Sequence, residues 1–165
     1  MHHQRHLSPS CTTCLLMLLT VCLLFFSPAV RAVDQPNDHD ALIGLKQAKV
    51  VFDVRVPDTD KLIFNLGLIN ETLDGLMSQG VKPTMVVTFR GEGVKLLASP
   101  ALDPDARDLF KAMKGRGVRF EVCAVAMRVY KANPAGLIPE VKLVANVFNS
   151  LIGYQNKGYA MIAIN

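Results

Sequence analysis

The chain has 165 residues, of which 50% are hydrophobic and 19% are charged, and its formal net charge is +4. This length is sufficient for one domain with a sizeable core. The sequence has no Lys/Arg-rich run and no stripe of basic and aromatic residues, so composition and charge argue against nucleic-acid binding.

The first 32 residues have the order of a secretory signal peptide, which predicts export to the periplasm. Arg5 stands in an acid-free start, the apolar run Leu15–Phe26 follows, and small residues lead to a predicted cut after Ala32. A transmembrane helix needs about 20 apolar residues, so an uncleaved anchor is the second interpretation. A lipoprotein acylated on Cys22 is the third, although Val21 stands where a small residue is expected.

Removal of this leader reduces the chemistry available to the mature protein, whose net charge becomes +2. Cys123 is then the single cysteine, which excludes an internal disulfide. His39 is the single histidine, in a polar segment ahead of the domain. Ser-His-Asp triads, Cys-His pairs in the core and His-rich metal sites are therefore not expected, and no metal or cofactor is required.

After a flexible lead-in at 33–47, residues 48–165 are expected to form one α/β domain. Lys49–Val54 is typical of a buried strand. A helix start at Pro57–Asp60 precedes an apolar stripe from Leu62 to Leu76 that ends before Gly80. The predicted elements that follow are a second strand after Pro83 (84–89), a short helix (94–98), a helix capped by Asp103, a third strand (118–122), a helical turn or two (124–131), a loop (133–136), a fourth strand (142–145), a helix (148–155) and a fifth strand (159–164).

This alternation predicts a three-layer α/β/α sandwich around a five-stranded parallel sheet. Ligands of such sheets bind beyond the carboxyl ends of the strands. The residues at those positions are Asp53, Arg55, Arg90, Gly91, Glu92, Gly93, Cys123 and Asn146.

Cys123 has a specific physical case as a nucleophile. It stands where a strand ends and a helix begins, and unpaired N–H groups at a helix start stabilise an anion such as a thiolate. Arg90 or Arg55 at a neighbouring strand end would strengthen this effect. The other interpretation is a buried cysteine that packs as a small hydrophobe, which the flanking Val122 and Ala124 favour.

The turn Arg90-Gly91-Glu92-Gly93 is a weak match to a phosphate-binding loop, because a dinucleotide fingerprint needs a third glycine and follows the first strand. A strand-to-helix turn that needs a positive φ is the favoured interpretation. Asp53 and Glu92 are a conceivable carboxylate pair, but solvated loop acids are the simpler expectation.

Several stretches together resemble the DsrE/DsrF-like sulfur-relay family. They are 118–127 with the loop to Pro139 and the strand 141–144, the ending 155–160, and 66–76 followed by the turn 90–94. The resemblance covers about Lys49 to Ile164, nearly the whole domain.

The resemblance implies strand order 4-3-2-1-5, whereas the sequence pattern alone equally allows the flavodoxin-like order 2-1-3-4-5. In the first order Cys123 neighbours the Arg90 loop, and in the second it neighbours Arg55. The resemblance also implies trimers or hexamers, and sulfur carried as a persulfide on the cysteine that corresponds to Cys123.

The leading hypothesis is a sulfurtransferase-like carrier in which the Cys123 thiolate accepts a sulfane sulfur and Arg90 stabilises it or orients the donor. Its partners would be a sulfur donor or acceptor protein or a small thiol, with no membrane association of the mature form. The alternative is a non-catalytic oligomeric binding module of the same fold, in which Cys123 is structural.

The leader prediction is tested by the intact mass of protein purified from the periplasm. A start within a few residues of Val33 is expected, and a retained residue Met1 would contradict cleavage.

Overall fold

The computed structural model describes residues 36–98 and 102–165. The predicted leader, 1–32, and the start of the lead-in, 33–35, lie outside the described residues. Asp38–Asn165 is one structural unit. No helix within the described ranges combines the length and apolar character needed to cross a bilayer.

Helices and strands alternate along this unit. The strands are β1 (Gln47–Val54), β2 (Lys82–Phe89), β3 (Arg119–Cys123), β4 (Val141–Val144) and β5 (Ala160–Ile164). The helices are α1 (His39–Leu42), α2 (Thr59–Ser78), α3 (Val94–Leu97), α4 (Pro104–Gly115), α5 (Ala124–Val129) and α6 (Val147–Asn156), with a 3₁₀ turn at Pro134–Gly136.

The five strands form a parallel sheet in the order β4-β3-β2-β1-β5, which confirms the order implied by the family resemblance and excludes the flavodoxin-like order. Each connection from β1 to β4 moves one strand in the same direction. The connection from β4 to β5 returns across the whole sheet. Right-handed crossovers therefore place α6 on the face opposite α2, α4 and α5.

The face that carries α2 and α4 is an apolar core. Phe110 from α4 contacts Phe120 of β3 edge-on, with ring centroids 4.8 Å apart, and also contacts Phe89 of β2 at 5.7 Å. The stripe predicted from spacing is buried here at Leu62, Leu66, Ile69 and Leu73. Aromatic burial of this kind dominates the stability of small cores.

The face under α6 differs because it carries buried polar groups. Among residues 36–98 and 102–165, the buried polar and charged side chains are Asp53, Thr88 and Glu121. Strand register aligns Asp53 with Thr88 and Thr88 with Glu121, so the three form a row across β1, β2 and β3. We call Asp53, Thr88 and Glu121 the polar row.

Most strand boundaries differ from the sequence prediction by one or two residues, and the starts of β2 and β1 have a physical reason or a consequence. Pro83 lies inside β2 rather than before it. The backbone N–H of Lys82 donates towards β1, so the backbone nitrogen of Pro83 is directed to the side of β3. The pairing of β2 with β3 begins only at Val86. A proline fits there because no ladder hydrogen bond is lost. At the lead-in, β1 begins at Gln47 and α1 precedes it.

The turn after β2 needs its two glycines for different reasons. Gly91 has φ of 73°, the left-handed conformation that the sequence interpretation expected. Gly93 has an ordinary φ of −59°. A Cβ atom at Gly93 would overlap the backbone carbonyl of Val56, so close packing of two backbone segments excludes a side chain.

This contact predicts opposite effects for two glycine substitutions. Gly93→Ala should destabilise the fold by about 1–3 kcal/mol because the added methyl group collides with backbone. Gly67 lies in the middle of α2, where an added Cβ atom would meet no other atom within 4 Å. Gly67→Ala should therefore stabilise the fold by about 0.5–1 kcal/mol, because alanine favours the helical backbone. Urea unfolding measures both, and equal stabilities of the two variants would contradict the proposed packing.

Candidate functional site

Cys123 is the last residue of β3 and the N-cap of α5, and it is 5% exposed. Its side chain makes no capping hydrogen bond to α5. The backbone N–H of Val147 instead donates to Cys123 Sγ at 3.5 Å. Cys123 thus stands between a strand and a helix as predicted, but the N–H group that contacts its sulfur comes from the start of α6 and not from its own helix, α5.

The start of α6 is fixed beside Cys123 by the fourth strand and by Asn146. Val144, at the end of β4, is the register partner of Cys123. Asn146 then caps α6, because its Oδ1 accepts the N–H of Phe148 at 3.0 Å. Asn146 thus satisfies one free N–H group of the first turn and leaves the N–H of Val147 directed at the sulfur.

A hydrogen bond to Glu121 holds the C-terminal end of α6 against the sheet. Tyr154 donates its hydroxyl to Glu121 Oε1 at 2.6 Å, and Arg119 lies over the Tyr154 ring, 5.4 Å from its centroid. Glu121 lies two residues before Cys123 on the same strand, so the two side chains share one face of the sheet. The contact that orients α6 and the contact at the sulfur therefore belong to one strand.

Arg90 follows β2 and is held in place by the polar row. Its Nε and Nη2 donate to both carboxylate oxygens of Asp53, with distances of 2.6–3.1 Å. The side chain of Asp53 is 5% exposed and that of Arg90 22%. The ring of Phe148 from α6 packs against the guanidinium, with Arg90 Cζ 5.1 Å from the ring centroid. A bidentate pair with one planar neighbour gives this guanidinium a fixed orientation.

Cys123 and Arg90 line one pocket of about 260 Å³. We call it the Cys123 pocket. Gly91 and Asn146 complete its polar rim, so it contains four of the residues predicted from the strand ends. Its remaining walls are mostly apolar and are formed by Val125, Ala126, Val129, Tyr130, Val147 and Phe148.

The other predicted residues lie outside this lining. Asp53 supports Arg90 from within the sheet. Arg55 turns towards the chain end, where its Nε donates to Asn165 Oδ1 at 2.7 Å. Glu92 is exposed and pairs with Lys95 at 2.9 Å. Asp53 and Glu92 therefore form ion pairs with different basic side chains and not a carboxylate pair.

Sequence reasoning missed the N–H of Val147, the ring of Phe148 and the Glu121–Tyr154 hydrogen bond. Asn146 ahead of an apolar helical pattern was a capping signal for the first two. Nothing in the sequence signals the third. Within the described ranges, no group of three or more His, Cys, Asp or Glu side chains is arranged to hold a metal ion.

Comparison with known proteins decides the family. The profile of the DsrE/DsrF-like family matches residues 48–164. The chain belongs to the DsrE/DsrF-like family. Membership suggests a sulfur-relay-like function.

Two similar proteins carry no assigned function. An uncharacterized protein of Aquifex aeolicus (strain VF5) is 30% identical over an alignment of 124 residues, which covers 69% of this chain and 55% of that protein. The chain therefore spans about half the length of that relative. A solved structure of a protein of unknown function from Methanobacterium thermoautotrophicum matches with a TM-score of 0.56 at 22% identity, covering 70% of this chain and 98% of that one. This second likeness supports the DsrE-like fold alone.

The Tyr154 contact generates a stability prediction. Oε2 of Glu121 is already buried without a hydrogen-bond partner among the described residues. Tyr154→Phe would remove the partner of Oε1 as well, which should destabilise the fold by about 1–3 kcal/mol. Tyr130→Phe, at an exposed ring, should change stability by less than about 0.5 kcal/mol in the same urea titration.

The pH dependence of that effect has a definite sign. Burial, and then the hydrogen bond to Glu121, raise the pKa of Tyr154 from 10.0 to about 12. The protonated hydroxyl therefore stabilises the fold fully below pH 10, and this contribution is lost as pH rises towards 12. Tyr154→Phe should lose less stability over this interval than the wild type, and an identical alkaline loss would contradict the assignment.

Proposed function

We propose that this protein is an exported sulfur carrier of the DsrE/DsrF-like family, in which Cys123 accepts a sulfane sulfur and donates it to another thiol. Family membership supports the general role. The observation that carries the proposal is the position of the Cys123 sulfur, which lines a pocket beside a fixed guanidinium and receives an N–H group from α6.

The chemistry requires a thiolate, because the thiol form is a weak nucleophile. The N–H of Val147 contacts the sulfur, and α6 has 10 residues, so the positive end of its dipole lies at Cys123. Both features stabilise negative charge on the thiolate before transfer and on the persulfide after it.

The transfer is thiol–disulfide-type exchange. The Cys123 thiolate attacks the sulfane sulfur, a new S–S bond forms, and the donor's leaving group takes the electron pair of the broken bond. In the second half, an acceptor thiolate attacks the outer sulfur and Cys123 leaves as a thiolate. The two halves conserve electrons and regenerate Cys123.

Arg90 is the polar side chain best placed to orient a donor. Asp53 engages its Nε and Nη2, and no hydrogen bond of Nη1 occurs within the described residues. Nη1 and the amide of Asn146 would therefore bind the anionic end of a donor whose sulfur meets Cys123.

Burial of the sulfur supports a second candidate, a non-catalytic oligomeric binding module. Cys123 is 5% exposed, as expected of a cysteine that packs as a small hydrophobe. Large apolar side chains of α6 and β5 are exposed at Phe148, Ile152, Met161 and Ile162, a surface that another subunit would cover. In either case we propose a periplasmic homo-oligomer, a trimer or hexamer.

A sulfur-loading assay separates the two candidates. The folded full chain is treated with a polysulfide, and peptide mapping by mass spectrometry locates any added sulfur, which distinguishes Cys123 from the leader cysteines. We expect loading at Cys123 and none at that position in Cys123→Ser. A folded protein whose Cys123 stays unmodified would favour the binding module.

Arg90 supplies a graded version of the same test. Arg90→Lys keeps the charge but loses the bidentate geometry, and loading should slow by roughly tenfold, the effect of one charge-assisted hydrogen bond. Arg55→Lys is the matched control, since Arg55 also follows a strand but does not line the Cys123 pocket. Equal slowing in both variants would remove Arg90 from the mechanism.

A further inference from the structure

We infer that the Cys123 pocket takes a slender sulfane-sulfur donor with one negative charge, namely a hydrogen polysulfide or a small persulfide anion, and discriminates against the thiosulfate dianion. This inference rests on the proposed function and specifies its substrate class.

The charge balance of the pocket is the first reason. Among the described residues that line the pocket, Arg90 alone carries a charged side chain. The buried carboxylate of Asp53 pairs with it. The pair is close to neutral as seen from the pocket. Lys95 approaches the Tyr130 ring at 5.9 Å but pairs with Glu92. The N–H of Val147 already contacts the Cys123 sulfur, so the Arg90 edge partly balances one negative charge on the donor, whereas a second charge on the donor is not balanced.

The walls of the pocket are the second reason. Val125, Val129 and Phe148 present carbon surface, and the polar side chains of the lining besides Cys123 are Arg90, Tyr130 and Asn146. Arg90 Nη1 and the amide of Asn146 are placed to bind one anionic end, so the three oxygens of a sulfonate would lose more bound water than these two groups replace, which is unfavourable. A chain of sulfur atoms is polarisable and weakly hydrated, and it packs against such walls at little cost.

Size and burial set the third limit. The volume of about 260 Å³ falls below the range of roughly 300–1,000 Å³ that is typical of pockets for drug-sized ligands. Cys123 is 5% exposed, so a donor reaches its sulfur through the pocket. The donor must end in a thin, unbranched tip.

The transfer from hydrogen disulfide anion balances. The Cys123 thiolate attacks one sulfur of the donor, the donor's S–S bond breaks, and hydrosulfide leaves with the electron pair and the proton. Cys123 retains the other sulfur as a persulfide anion. Two negative charges enter and two leave, and no separate oxidant is consumed.

The test compares two probes, sodium disulfide and sodium thiosulfate, on the folded full chain. The rate of sulfur addition at Cys123 is measured for each and divided by the rate of the same probe with free cysteine. The normalised rate for disulfide should exceed that for thiosulfate by roughly tenfold, the scale of one uncompensated charge at a partly exposed site.

A rim variant isolates the role of charge. Val129 lines the pocket but is 63% exposed, so substitution there leaves the core intact. Val129→Lys should raise the normalised thiosulfate rate by roughly threefold or more relative to disulfide, while Val129→Gln should not. No change with Val129→Lys would overturn the charge argument.

The outcomes separate the two proposals. A normalised thiosulfate rate equal to or above that of disulfide would overturn this inference and leave the carrier function intact. Failure of both probes to modify Cys123 would overturn the carrier function and this inference with it.

Discussion

The connection from β4 to β5 is the constraint on which the site depends. These strands lie at opposite edges of the sheet, so the chain between them must cross all of its width. The crossing segment is α6, whose first residue, Val147, contacts Cys123 and which then contacts β3, β1 and β5. A flavodoxin-like strand order would place a different helix start beside the cysteine.

The polar row follows from this crossing. Asp53 and Glu121 are buried carboxylates, which are unfavourable without partners. Asp53 is balanced by Arg90, and Glu121 by the hydroxyl of Tyr154. Tyr154 belongs to α6, and Arg90 contacts α6 through the ring of Phe148. The helix that covers the row therefore also orients the guanidinium and supplies the N–H group at the sulfur.

Much of the fold was predictable from sequence because its signals are local. Strand runs such as 49–54, the cap at Asp103 and the apolar stripe from Leu62 each specify one element through neighbouring residues. Strand order is not local, because parallel strands joined by helices have the same pattern in either order. The order came from the family resemblance, and the observed sheet agrees with it.

The candidate site divides in the same way. Residues at strand ends were identifiable, and four of them line one pocket: Arg90, Gly91, Cys123 and Asn146. The N–H of Val147 was not, because a backbone group has no residue signature and its target depends on strand order. Asp53 was identified as a rim residue, yet its carboxylate lies beneath Arg90, a position that depends on which face of β1 it occupies.

The most direct measurement is the accessibility of the Cys123 sulfur in the folded protein, compared between a small alkylating agent and a bulky polymer-linked one. The account predicts that iodoacetamide modifies Cys123 of the folded chain, while the polymer-linked maleimide does so only after unfolding. If neither reagent reacts before unfolding, the sulfur is sealed in the core and the carrier proposal is wrong. If both react at similar rates, there is no restrictive pocket.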